Sequence, residues 1–141
     1  MPGDLNQAEK HSALHQSIGW IAVLAIAHFA LGTRTHAVHG LHILLGGFFL
    51  VPILIAAGAF ATRGALLAAL AASVVYAAHL LWSWRDSPLA NADQYGMIGV
   101  YFVVAIAAGR LVAVANWRKD QRDEVIRREN KRAQREGGHS V

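Results

Sequence analysis

The sequence predicts an all-α integral membrane protein: a bundle of four transmembrane helices followed by a charged cytoplasmic C-terminal helix. Three observations carry that expectation. Of 141 residues, 55% are hydrophobic and only 16% charged, where a soluble domain carries about a quarter charged residues. The charges are also segregated, with eight of the thirteen Lys and Arg between Arg118 and Arg135. From Ala13 to Trp117 the chain is nearly charge-free, broken only by Arg34, Arg63, Arg85, Asp86, Asp93 and Arg110. The chain therefore divides into a polar N-terminal segment (1–12), a four-helix transmembrane domain (13–117) and a basic cytoplasmic tail (118–141).

The first span runs from about Ala13 to Leu31, a little short of the roughly 20 residues a bilayer needs. It ends at Gly32-Thr33-Arg34-Thr35. The polar residues ahead of it include Asp4, Glu9, Lys10, His11 and His15 and lack a signal-peptide layout, so the span is expected to be retained. The second span, from about His39 to Phe60, contains Pro52. A mid-span proline frees backbone groups and kinks the helix. Thr62-Arg63-Gly64 is expected to form a tight turn. The third span, from about Ala65 to Trp84, is alanine-rich, which lets neighbouring backbones approach closely. A loop from Arg85 to Asn91 leads to the fourth span, from about Gln94 to Trp117. A charged helix then runs from Arg118 to Glu136, and Gly137-Gly138 ends it.

An even number of spans puts both termini on one side, and the basic tail makes that side cytoplasmic by the positive-inside rule. Arg63 agrees, whereas Arg34 and Arg85 fall on the opposite side. Trp20, Trp82, Trp84, Tyr95, Tyr101 and Trp117 read as an interfacial aromatic belt. The net charge of +4 comes mostly from the tail, where Arg118, Lys119, Arg122, Arg127 and Arg128 suit anionic lipid. No base-reading residues are interleaved there, so nucleic acid is not an expected partner. Cysteine is absent, which removes disulfide, zinc-thiolate and iron–sulfur chemistry. No nucleophile motif, phosphate loop or paired intramembrane carboxylates appear, and the expectation is a protein without enzymatic activity.

Ionisable side chains at membrane depth are costly and mark function. Helix rise combined with the alternating span directions places His28, His39, His42 and His79 near one level close to the outer face. His39 and His42 are i, i+3 and share a helical face, as do Tyr76 and His79. Asp86 and Asp93 flank the same surface, and with Tyr76 they are candidate supporting groups. Neutral imidazole binds metal, and two or three such rings suit Zn(II) or copper. Two rings on different helices could instead clamp a haem b iron. The blander alternative is that these histidines hydrogen-bond backbone carbonyls or hydroxyls. For His11, His15, His36 and His139, in tails or loops, a solvated side chain is the expectation. Arg110 is expected to snorkel to the cytoplasmic headgroups.

The run from His39 through Pro52-Ile-Leu-Ile-Ala-Ala to Phe60, then Thr62-Arg-Gly-Ala, then Tyr76-Ala-Ala-His-Leu-Leu, resembles the N-terminal membrane input domain of a group of bacterial sensor histidine kinases. The likeness covers roughly His36 to Arg122 and picks out His39 or His42, Pro52, Arg63, Gly64, Tyr76 and His79. This chain has Ala61, Ala65 and Ala78 where that pattern has Gly, Gly and Pro, and the kinase part has no counterpart. The resemblance implies a sensor of a two-component system in a bacterial inner membrane.

These readings converge on a small membrane sensory or ligand-binding module that binds a transition metal and signals to a partner protein, either a histidine kinase or a larger membrane complex. A second copy of the chain is a further candidate partner. Two alternatives stand beside it: a haem-binding redox subunit, and a non-catalytic accessory subunit that packs through its third span and the Gly96-x-x-Gly99 face.

Overall fold

The computed structural model describes residues 7–30, 39–83 and 92–137, all of them helical apart from a break at Phe49. Four helices follow in order: α1 (Gln7–Ala30), α2 (His39–Phe48), α3 (Leu50–Ser83) and α4 (Ala92–Gly137). Three stretches are long and apolar enough to cross a membrane: Gln7–Ala30, Gly40–Trp82 and Tyr95–Arg135. Many large apolar side chains point outward, among them Ile26, Leu67, Leu81, Val103 and Leu111. Such a surface is compatible with contact with lipid rather than water.

Pro52 sets the break between α2 and α3. Lacking an N–H, it cannot bond the carbonyl of Phe48, and its ring crowds that carbonyl. The helix loses its regular ladder one residue later, at Phe49, whose N–H bonds the Gly46 carbonyl at 3.2 Å in a tighter turn. Ser17 on α1 braces the site by donating to the Pro52 carbonyl at 3.3 Å. The expected proline kink is therefore present, displaced toward the carbonyl it orphans.

A second irregularity reverses the chain. Ala61 has φ 52° and ψ −142°, a backbone region that glycine adopts freely and alanine does not. Here α3 divides: residues 50–60 continue α2 as a first arm, residues 62–83 form a returning arm, and the two arms fold back on one another. Gly64 makes this possible, since a Cβ there would run into Phe60 and the Ala56 carbonyl. The reversal falls one residue before the Thr62-Arg63-Gly64 segment, and those three residues belong to the returning helix. Positions equally far from Ala61 meet across the two arms, as Gly46 and Tyr76 do.

The core follows from small residues at helical spacing. Ala65, Ala68, Ala69 and Ala72 form one buried stripe on the returning arm, which permits the close backbone packing expected of this segment. The counterpart on α4 is Tyr101, Ala105 and Gly109; a Cβ on Gly109 would lie 2.5 Å from Thr62 Cα. The α3–α4 interface is the most extensive in the molecule. Helix α4 then continues without a break through Trp117 to Gly137, so the last span and the charged segment are one helix. Likewise α1 begins at Gln7, within the segment expected to be a polar lead-in.

Candidate histidine site

The buried stripe that runs through α2 into α3 comprises His42, Gly46, Phe49 and Ile53, at i, i+4, i+7 and i+11. The returning arm presents Tyr76, His79 and Leu80 to it, and α1 contributes Leu24 and His28. Three imidazoles from three helical segments thus meet. His28 and His42 are fully buried and His79 is 1% exposed. The ring centroids are 4.8 Å apart for His42–His79, 5.3 Å for His28–His79 and 5.4 Å for His28–His42. Arg63 and His79 lie on the same arm, about 24 Å apart at about 1.5 Å per residue. The histidines therefore sit close to the end of the bundle opposite the reversal.

The hydrogen bonds restrict the tautomers. Nδ1 of His28 lies 3.2 Å from the Leu24 carbonyl, which can only accept, so Nδ1 carries the proton. The neutral ring then has a bare lone pair on Nε2, a buried atom with no hydrogen-bond partner among the described residues. Nε2 of His42 and Nε2 of His79 are 2.9 Å apart, so one donates and the other accepts. Nδ1 of His79 is buried without a hydrogen-bond partner among the described residues. Each such unmet group costs about 1–3 kcal/mol in a dry interior. Native interiors rarely tolerate two together without a purpose.

Aromatic rings wall the cluster. Phe49 and Tyr76 lie 5.4 Å and 5.5 Å from the His28 ring, and Phe29 lies 5.3 Å from the His79 ring. Below them Tyr101 is fully buried and donates a 2.7 Å hydrogen bond to the Gly46 carbonyl. Tyr101 was expected in the interfacial belt and is instead a core residue. It supplies a partner to a carbonyl beside the proline break. Trp20, Trp82 and Trp117 are exposed, as a belt requires.

Of the sequence-derived candidates, His28, His42, His79 and Tyr76 come together. His39 begins α2, but its side chain lies outside the described residues, as do Asp86 and the side chain of Asp93. Among the described residues no group of three or more His, Cys, Asp or Glu side chains is arranged so that it could hold a metal ion. Two imidazoles bound at about 2.0–2.1 Å to a tetrahedral ion stand about 3.3 Å apart, a few tenths of an ångström wider than the observed pair. The His28 ring, whose Nε2 is bare, has its centroid 5.3 Å from that of His79 and 5.4 Å from that of His42. Phe29, Phe49 and Tyr101 were not anticipated as parts of this site. The signals were present for two of them, in the seven-residue step from His42 to Phe49 and the four-residue steps through Tyr101, Ala105 and Gly109.

Outside this cluster, His11 and His15 form an exposed pair one turn apart, with centroids 6.5 Å from each other. Arg110 is exposed. Gly96 and Gly99 face open space. Arg118, Lys119 and Arg122 are exposed, while Arg127 and Arg128 reach Glu124 at 3.8 Å and 3.0 Å. Those two contacts and the adjacent charges hold the Glu124 carboxyl below its ordinary range, the Arg128 hydrogen bond being the largest cause. No protein-family model, curated protein or solved structure matches the chain.

Proposed function

We propose that this chain is a small four-span membrane sensory module that binds a single Zn(II) or copper ion through His28, His42 and His79. The observation that supports this reading is the convergence of three buried imidazoles, with Nε2 of His42 and Nε2 of His79 2.9 Å apart and Nε2 of His28 without a hydrogen-bond partner among the described residues. The reversal at Ala61 divides Gly40–Trp82 into two crossings, giving four spans with α1 and α4. On that topology the basic tail and Arg63 lie on the cytoplasmic face of a bacterial inner membrane, and the histidines lie near the outer face. The sensory role draws on the resemblance to kinase input domains.

Binding would act through separation of the two arms. An ion between His42 and His79 replaces their hydrogen bond and draws in His28, moving α1, α2 and the returning arm of α3 relative to one another. Because α4 packs along α3 and continues into the tail, a shift there reaches the cytoplasmic end as a helix displacement. A partner protein that reads the tail completes the circuit.

A haem is the poorer fit. Axial ligation needs two imidazoles on opposite faces of a flat macrocycle, and rings 4.8 Å apart with nitrogens at 2.9 Å leave no room for one. The test is metal content after purification and dialysis, on a background in which His11, His15 and His139 are replaced by alanine to remove imidazoles outside the cluster. The background protein should hold one zinc or copper per chain, and His28→Ala, His42→Ala and His79→Ala should each reduce that at least tenfold. Metal absent from every preparation, or retained by all three variants, would overturn the reading.

A further inference from the structure

At the end of the bundle where the chain reverses, a half-open cavity of about 650 Å³ lies between α1 and α3. Its walls are apolar, with Leu14 and Ile18 from α1 facing Phe60 and Leu67 from α3. The space exists because small residues, including Ala59, Gly64 and Ala71, occupy the α3 wall. Its charged lining consists of Lys10 and Arg63, and no acidic side chain is among the lining residues. Asn116 of α4 also lines the cavity, two residues before Arg118.

We infer that this cavity is a binding site for one anionic phospholipid, whose phosphate sits between Lys10 and Arg63 and whose acyl chain lies along the α1–α3 trough. Two cations at one end of an apolar channel match an amphiphile with a negative head and a hydrocarbon tail. The volume lies within the range of sites that enclose a small molecule. Basic pockets between spans at the cytoplasmic headgroup level are where anionic lipid heads are held. A soluble anion would satisfy the cations and leave the trough empty, and a zwitterionic lipid would bring a second positive charge against Lys10 and Arg63. The site is remote from the histidines, so the inference stands whether or not they bind metal.

Native mass spectrometry of the full chain in neutral detergent, with equal amounts of phosphatidylglycerol and phosphatidylcholine, tests it. The expected result is one retained phosphatidylglycerol per chain, preferred over phosphatidylcholine by at least about tenfold. K10Q/R63Q should bring the two lipids to near parity, and both substitutions fall on exposed or half-buried side chains that the fold does not need. Ala71→Phe, which fills the trough, should reduce retention of both lipids, whereas R118Q/K119Q/R122Q should leave the single bound lipid in place. Failure of the wild-type chain to retain phosphatidylglycerol, an unchanged preference in K10Q/R63Q, unchanged retention in Ala71→Phe, or loss of the lipid in the tail variant would each overturn it.

Discussion

Nε2 of His42 lies 2.9 Å from Nε2 of His79, so one shared proton ties α2 to the returning arm of α3. Two nitrogens at that separation cannot both carry hydrogen. The contact is a hydrogen bond when one of them is bare and a repulsion when neither is. It follows that the pair accommodates one added proton but not two.

Removing both members of the pair should cost less than the two single removals added together. In chelator-treated protein, His42→Leu leaves the His79 nitrogen stranded in an apolar wall and should lower stability by about 1–3 kcal/mol. The double variant His42→Leu/His79→Leu should cost less than the sum of the two single changes, by about 1 kcal/mol or more. Unfolding by denaturant in detergent measures both. Strict additivity would mean that the contact carries no energy.

The backbone at Ala61 makes an unusual prediction of improvement. An alanine held at φ 52° and ψ −142° bears a strain of about 1–3 kcal/mol that glycine does not. Ala61→Gly should therefore stabilise the protein, and Ala61→Val should destabilise it further. The thermal midpoints of the two variants should move in opposite directions.

Tyr101 offers a cleaner test of packing against hydrogen bonding. Tyr101→Phe retains the ring between Tyr76 and Phe49 but removes the hydroxyl that donates to Gly46. The expected loss is about 1–2 kcal/mol, with the histidine cluster intact by metal content. A loss of metal together with stability would show instead that the break at Phe49 is needed to place His42.

The tail carries a pH-dependent element. The Glu124 carboxyl is depressed by Arg128 first and then Arg127, so the pairing strengthens the helix above the ordinary carboxylate range and is lost as pH falls through the lowered value. Helicity of the tail should decline slightly on acidification below the ordinary carboxylate range. Glu124→Gln should remove that step, and added salt should blunt it, because both arginines are exposed. Circular dichroism of the full chain across that range checks the effect.

Much of this architecture was legible because apolar length and charge segregation are strong signals. Depth arithmetic brought His28, His42 and His79 to one level, since a helix rises by a fixed amount per residue and successive spans alternate in direction. What it did not supply was rotation about each helix axis. That is why Tyr101 read as one more interfacial aromatic, although Ala105 and Gly109 at four-residue steps mark a buried face. The break was expected at Pro52 but falls at Phe49, because a proline disrupts the carbonyl four residues before it rather than its own position. The turn was placed at Thr62-Arg63-Gly64 on composition, since an alanine gives no hint of a positive φ. Gly64 still proved indispensable, as the residue across which the two arms touch.

X-ray absorption at the metal edge tests the central claim most directly, using the chain with His11, His15 and His139 replaced by alanine and loaded with zinc. Three imidazole nitrogens at about 2.0–2.1 Å, reduced to two in the His28→Ala variant, are the predicted result. A first shell of oxygen alone, or a nitrogen count unchanged by the loss of His28, would contradict it.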